Sequence, residues 1–430
     1  MKSGLSFLVG ALRCEIDELD ALANTSALVE AISRLVHALQ RERGLSNVWL
    51  GSGGKRFAAE RSAQIDASGA LDAQVRERFD ALGGQARRPG NGARLFSRIA
   101  WVLPGLDGLP ELRRRIAAQQ LDAAQAGAAF AKLIAGLLAV VFEAADGATD
   151  PHVSRRLVAL FNFMQGKEFA GQERACGAAA FSAGRNDSAR QQQWLQLIAA
   201  QERCLQLFAE FSDTDVLALW QDCQSPAQVA QLERLRRVAC AAPTGGALDA
   251  ELTGRWFDCC SARIDAMQSV EEHLARQLHR LCEDKIARAQ AELQSHEALL
   301  ATLQSDDPSA SAAFFDGPDG ATSLAPASPG QGDGCAPFGR HLERSILDMV
   351  QEQSTRLQSM NDELDTVRAA LNERKLVERA KGLLMAHRRM SEQDAHKLLR
   401  QTAMNQNRRL VDVAESVLSM ADLLPGDAAA

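Results

Sequence analysis

The stretch GAAFAKLIAGLLAVVF, residues 127–142, is the most apolar in the chain, and its reading decides between a membrane span and a buried helix. It carries Lys132 and falls short of the about 20 residues that cross a bilayer, so a helix inside a bundle is expected, with no membrane contact. The residues around it agree. From residue 1 to about 303 helical periodicity recurs, no run of alternating β-branched residues reads as a strand, and the Ala, Leu, Gln and Arg usage favours helix. Breaks fall near 51–55, 81–92, 103–110, 146–151, 182–187, Ser225-Pro226 and 241–246. Long helices with short connections predict antiparallel bundles, either two of them or one elongated one. The opening residues, MKSGLSFLVGALRCEIDELD, have no small-residue cleavage site and run straight into acids, which predicts a helix rather than a signal peptide.

Downstream the composition changes abruptly. Residues 305–340 carry five of the twelve prolines and read as a flexible linker, placed at 304–340. A coiled-coil helix is expected over 341–372, because Val350, Leu357, Met360, Leu364, Val367 and Leu371 alternate at spacings of three, four and seven. Gln353 is the one polar seam position. The stripe predicts a homodimer, although a helix packing on its own domain would show the same pattern.

Three short helices are expected over 373–425. Leu376, Val377, Ala380, Leu383, Leu384 and His387 line the first; Ser391 and Asp394 resemble a capping box opening the second, which Leu398, Leu399, Thr402 and Ala403 line; Leu410, Val413, Ala414, Val417 and Leu418 line the third. Away from those faces point Arg374, Lys381, Met385 and Arg389, then Lys397, Arg400, Met404 and Arg408. Residues 371–424 hold ten Lys and Arg against seven Asp and Glu, a positive segment in a chain whose formal net charge is −7. Cations with an exposed thioether between them suit a phosphate backbone and an unstacked base. A charged helix face is also the ordinary solvated kind, so charge alone leaves nucleic acid undecided.

Catalysis and metal binding find no footing. The nine cysteines include no C-x-x-C pair, so neither zinc nor a disulfide framework is indicated, and reduced thiols in a cytoplasmic protein are expected. Neither a phosphate loop, a dinucleotide fingerprint nor a nucleophile arrangement stands out. A di-iron bundle enzyme needs Glu-x-x-His pairs, and none occurs in the N-terminal region. No cofactor and no enzymatic activity are expected.

One cation stands out in LVHALQRERGLSNVWL, residues 35–50. At 100° per residue Arg43 falls among Ile32, Leu35, Val36, Leu39, Ser46 and Leu50, on the apolar stripe. A guanidinium buried without an anion costs several kcal/mol, so a counter-ion is required. Glu168, on the stripe of Leu157, Phe161, Met164, Gly171 and Ala175, is an internal candidate; a small external anion held by several arginines is the other.

Two resemblances bear on that choice. ERAKGLLM, then S-x-x-D-A, then LLRQTAMNQNRRLVDVA resemble the ANTAR domain, a three-helix RNA-binding module of bacterial antiterminators, over about fifty residues. The resemblance implies binding to leader mRNA hairpins and blocking of a terminator stem, with Lys381 and Gly382 in one motif and Arg400 and Met404 in another. Gly382 costs about 1 kcal/mol against alanine inside a helix, so close approach by RNA or by a neighbouring helix is expected there. Upstream, QRERGLS, FNFMQGKEFAGQERA, QVAQLERLRRVA and RWFDCCSARIDAMQSVEEHLARQL together resemble the NIT domain, a nitrate- and nitrite-sensing module of two four-helix bundles, over roughly 25–285. That places a sensor at 1–303 and makes the overall expectation all-α: a pair of antiparallel four-helix bundles, a flexible linker, a coiled-coil helix and a three-helix bundle. It further implies a nitrate or nitrite site built of arginines: Arg43, Arg174 and Arg236, the last chosen over Arg234 and Arg237, with Arg41 facing away at the surface. A partner-controlled RNA-binding scaffold with no small ligand is the alternative.

Overall fold

The computed structural model describes residues 4–83, 92–185, 187–241, 246–304, 338–388, 390, 392–406 and 408–421; over these the chain is all-α, and its only bridge of strand type joins Arg185 and Ala247. Two compact units result, Met1–Met360 and Asn361–Ala430.

In the first unit the N-terminal apolar run belongs to α1 (Gly4–Gly51), followed by α2 (Ala58–Gly83), α3 (Gly92–Asp107), α4 (Leu109–Ala117) and α5 (Ala123–Asp146). The break expected at 103–110 falls at Gly108, and Pro104 is carried inside α3. Helix α5 holds the stretch 127–142, but it is 24 residues long, enough to span a bilayer. Length therefore does not settle its nature; packing does. A capping box between Asp122 and Gln125 starts it, and Phe130, Ile134, Leu137, Leu138, Val140 and Val141 are all buried as it packs on α1, α3 and α6. Its two acids are neutralised from α3, Glu143 by Arg98 at 3.3 Å and Asp146 by Arg94 at 3.0 Å.

Helix α6 (Pro151–Ser182) starts with Pro151 in its first turn and Asp150 accepting from the Val153 amide at 3.0 Å. It packs on α7 (Ser188–Phe211) and on the 53-residue α10 (Leu252–Gln304), which also contacts α8 (Thr214–Cys223) and α9 (Pro226–Ala241). Phe181, Trp194 and Trp256 pack their rings within 6.0 Å of one another to fill this core. Contacts of α1 with α6 and α10, and of α5 with α6, join helices α1–α5 to helices α6–α10.

Helix α11 (Phe338–Arg388) is continuous, so no break separates the expected coiled-coil helix from the helix after it. Its early part is tied to its own chain: Gln353 donates to Glu15 at 3.4 Å, and Arg356 pairs with Glu15 at 2.6 Å and Glu292 at 3.4 Å. Over that part Gln353 is buried against the chain's own residues, while Leu357 of the same stripe is 45% exposed. The expected linker lies almost wholly outside the described residues.

In the second unit, α12 (Glu392–Gln406), α13 (Leu410–Ala421) and the later part of α11 enclose Ala380, Leu384, Ala395, Leu399, Ala403, Val413 and Ala414. His387, expected in that core, is exposed. Ser391 lies outside the described residues, so the capping box is not described.

Candidate functional site

Arg43 is buried at 3% exposure where α1 faces α6. Its fork grips Glu168, Nη1 to Oε1 at 2.5 Å and Nη2 to Oε2 at 3.1 Å. The same carboxylate accepts from Gln40 Nε2 at 2.9 Å and Gln172 Nε2 at 2.8 Å, four donors on two oxygens. Of the two counter-ions the sequence offered, the structure shows the internal one in place.

Arg174, one helical turn beyond Gly171, is different. It is 9% exposed, donates Nη1 to Ser261 Oγ at 2.9 Å and lies 5.0 Å from the centre of the Phe257 ring, both from α10. No carboxylate of the described residues lies within ion-pairing distance of it. Burial first, and the neighbouring Arg43 charge second, push its guanidinium down to about 10, against a weak pull from Asp265 and Glu168. The two arginines interlock across the helices through glycines. A Cβ on Gly171 would lie 2.6 Å from Arg43 Nη2, and one on Gly44 2.9 Å from Arg174 Nη2. Each guanidinium thus occupies the space that the partner helix frees by lacking a side chain.

Further cations surround the junction. Lys167, fully buried, pairs with Glu271 at 2.5 Å and donates to Gln268 at 2.6 Å, while Ser33 donates to Glu271. His37 is pushed down to about 3, by burial first and then by Lys167, Arg41 and Arg174, so its imidazole is neutral; its buried Nδ1 has no partner among the described residues. At this junction Arg43 is paired with Glu168 and Lys167 with Glu271, whereas Arg174 has no carboxylate partner among the described residues. Arg41 is exposed, as its place on the helix predicts.

Arg236 is not brought to this pair. Helix α9 turns it into a second cluster, where it grips Glu173 of α6 with Nε and Nη2 at 2.7 Å each and reaches Glu233 at 2.7 Å. Trp194 Nε1 and Gln201 Nε2 donate to the same carboxylate at 3.0 and 2.6 Å. Burial alone would raise Glu173, but the Arg236 bonds and charge, with Gln201 and Trp194, hold it below its ordinary range. Arg234 and Arg237 are exposed, so Arg236 is the inward arginine of its run.

The wheel argument that picked out Arg43 would also have found Lys167, which shares a face with Gly171 and Arg174, and Glu271, among Met267, Leu274 and Ala275. Nothing in the sequence joined Ser261 and Phe257 to Arg174, because that contact depends on how α6 and α10 cross.

In the second unit Lys397, Arg400, Met404 and Arg408 are exposed, Met404 at 71%. Arg408, in the connection before α13, donates Nη2 to the Asp412 carbonyl and to Ser416 Oγ, both at 3.1 Å. Lys381, expected to face outward, is 7% exposed; it stands next to Ala380 and three residues from Leu384, at the edge of the apolar side. A Cβ on Gly382 would meet nothing within 4 Å among the described residues, so none of the described helices demands that glycine. Arg389 and the Arg374 side chain lie outside the described residues.

Comparison with known proteins agrees with this division. Residues 34–279 match the family described as nitrate and nitrite sensing, and residues 365–418 match the ANTAR domain. A nitrate regulatory protein of Klebsiella oxytoca is 34% identical over 411 residues, covering 95% of this chain and 93% of that one. The solved structure of the NasR transcription antiterminator is similar at 32% identity with a TM-score of 0.56, over 97% of this chain and 99% of the other.

Proposed function

The chain belongs to the nitrate- and nitrite-sensing family, carries an RNA-binding ANTAR domain behind its sensor and is a nitrate-responsive transcription antitermination regulator, not an enzyme; from that premise we propose where the anion and the RNA are held. The anion seats at the junction of α1, α6 and α10, between Arg174 and Arg43. The observation that carries this is the buried Arg174 guanidinium, which has no carboxylate in reach among the described residues and stands beside the Arg43–Glu168 pair. Nitrate is planar and monovalent, so a guanidinium fork can give it two parallel hydrogen bonds, and nitrite offers two of the same oxygens. Arg236 joins such a site only on release from Glu173, and Arg41 acts on it through its field. A ligand-free scaffold would account for the paired Arg43 and Arg236 but leaves Arg174 without a counter-ion among the described residues.

Filling the site draws the helices carrying Arg43, Arg174 and Ser261 together and favours the state that binds RNA; an anion shifts that balance only by its difference in affinity for the two states. On the RNA side Lys397, Arg400 and Arg408 take phosphates and Met404 an unstacked base of a leader mRNA hairpin. The terminator stem downstream is thereby kept from forming. The regulator works in the cytoplasm as a homodimer and controls a nitrate-assimilation operon. Calorimetric titration of the full chain with nitrate, nitrite, chloride and sulfate tests the anion site. Heat with nitrate or nitrite, lost in Arg174→Ala, is expected; an absence of heat with either ion in the unaltered protein overturns the assignment.

A further inference from the structure

The anion cradle beside Arg174 already has an occupant. Arg43, Gln40 and Gln172 aim four donors at the two oxygens of Glu168, and Arg43, Gln40 and Glu168 are each no more than 3% exposed. A planar carboxylate edge and a planar nitrate edge make the same demand on a guanidinium fork, two parallel acceptors in one plane. Resting on the anion site proposed above, we infer that Glu168 is an internal surrogate for the effector: it fills the Arg43 fork when the site is free, and it sets both the affinity and the selectivity of the site.

The charges lead the same way. With Glu168 in the cradle, Arg43 is neutralised and only Arg174 is left to attract an external anion. An ion that binds Arg174 alone gains one cation; an ion that bridges Arg174 and Arg43 has to take the fork from a tethered competitor. The apparent affinity is the intrinsic one multiplied by the fraction of molecules in which the competitor has left the fork. Selectivity follows from shape. A spherical halide offers one point of attachment and cannot replace both parallel bonds that Glu168 makes, whereas a flat oxyanion replaces them one for one. Helix α6 carries both Glu168 and Arg174, so exchange of the occupant registers on the helix that also packs on α7 and α10.

The test uses the full chain with nitrate, nitrite and chloride as the titrants. Glu168→Gln keeps the size of the side chain and removes its charge. The nitrate Kd is expected to fall about tenfold or more, and the preference over chloride to narrow. Glu168→Ala leaves Arg43 unpaired. Its melting temperature is expected to drop in chloride and to recover with nitrate, formate or acetate by more than the same ions shift the unaltered protein. If Glu168→Ala fails to fold, the Glu168→Gln titration decides. Unaltered protein that binds nitrate while Glu168→Gln binds it no tighter, or loses it, overturns the inference and leaves the anion site standing. Failure of the unaltered protein and both variants to bind nitrate overturns the anion site, and the inference with it.

Discussion

Arg174→Met separates a cation kept for a ligand from one kept for the fold. A guanidinium held down to about 10 from an ordinary 12.5 carries its charge at a cost of about 3 kcal/mol at neutral pH. Against that stand the hydrogen bond to Ser261, worth about 1 kcal/mol, and the contact with Phe257, worth about 0.5–1 kcal/mol. Methionine fills a similar volume without the charge. The ligand-free variant is therefore expected to be as stable as the unaltered protein, or more stable by up to about 2 kcal/mol, unlike nearly any other deletion of a buried polar group. Nitrate at a hundred times its Kd stabilises the unaltered protein by about 2.7 kcal/mol, roughly 5–10 °C for a domain of this size, and does nothing for the variant. Thermal melts in chloride buffer with and without nitrate read both quantities. A variant more than about 3 kcal/mol less stable that still melts higher in nitrate would make Arg174 a structural cation and refute the reasoning.

Arg236→Ala leaves Glu173 charged at 1% exposure and is expected to cost about 3–5 kcal/mol in a urea melt, with Glu173→Gln in the same chain restoring part of it; additive losses from the two changes would show that the pair is not coupled. His37 takes a proton near 6.5 when unfolded but only at about 3 when folded, so the unfolded chain binds more protons between those values and stability falls as pH falls through that window. His37→Gln is expected to flatten that loss between pH 6.5 and 4, and an unchanged slope would place the acid sensitivity elsewhere. In the RNA-binding unit, Arg400→Ala is expected to weaken leader binding and lower the salt slope by about 0.7–0.9, whereas Met404→Ala weakens binding with the slope intact. Equal slopes in all three proteins would remove Arg400 from the phosphate contacts.

Periodicity made the helices legible because an apolar stripe must face something, and the same rule exposed Arg43 as a cation on the wrong side of α1. It carried the C-terminal core as well, where Ala380, Leu384, Leu399 and Val413 are buried as their spacing requires. It misplaced Lys381 and His387, both on the margin of the first stripe, where a step of one residue changes burial. The nature of α5 was legible for the wrong reason: the helix is long enough to cross a membrane, and it is the burial of Ile134, Leu137 and Val141, with Glu143 and Asp146 paired, that makes it a core element. What spacing could not supply was pairing between distant helices. Arg113 closing on the fully buried Glu42 at 2.8 Å, and Arg174 left to Ser261 and Phe257, depend on how helices cross. The difference between Arg43 and Arg174, one satisfied and one not, is visible only in three dimensions.

Affinity for a leader hairpin RNA, measured by fluorescence anisotropy on the full chain with and without saturating nitrate, beside Arg174→Met under the same conditions, bears on the central claim most directly. Nitrate is expected to tighten RNA binding by the unaltered protein at least about tenfold, a coupling of about 1.4 kcal/mol, and to leave the variant unchanged. Equal RNA affinity with and without nitrate in the unaltered protein, or an undiminished response in the variant, would contradict the account.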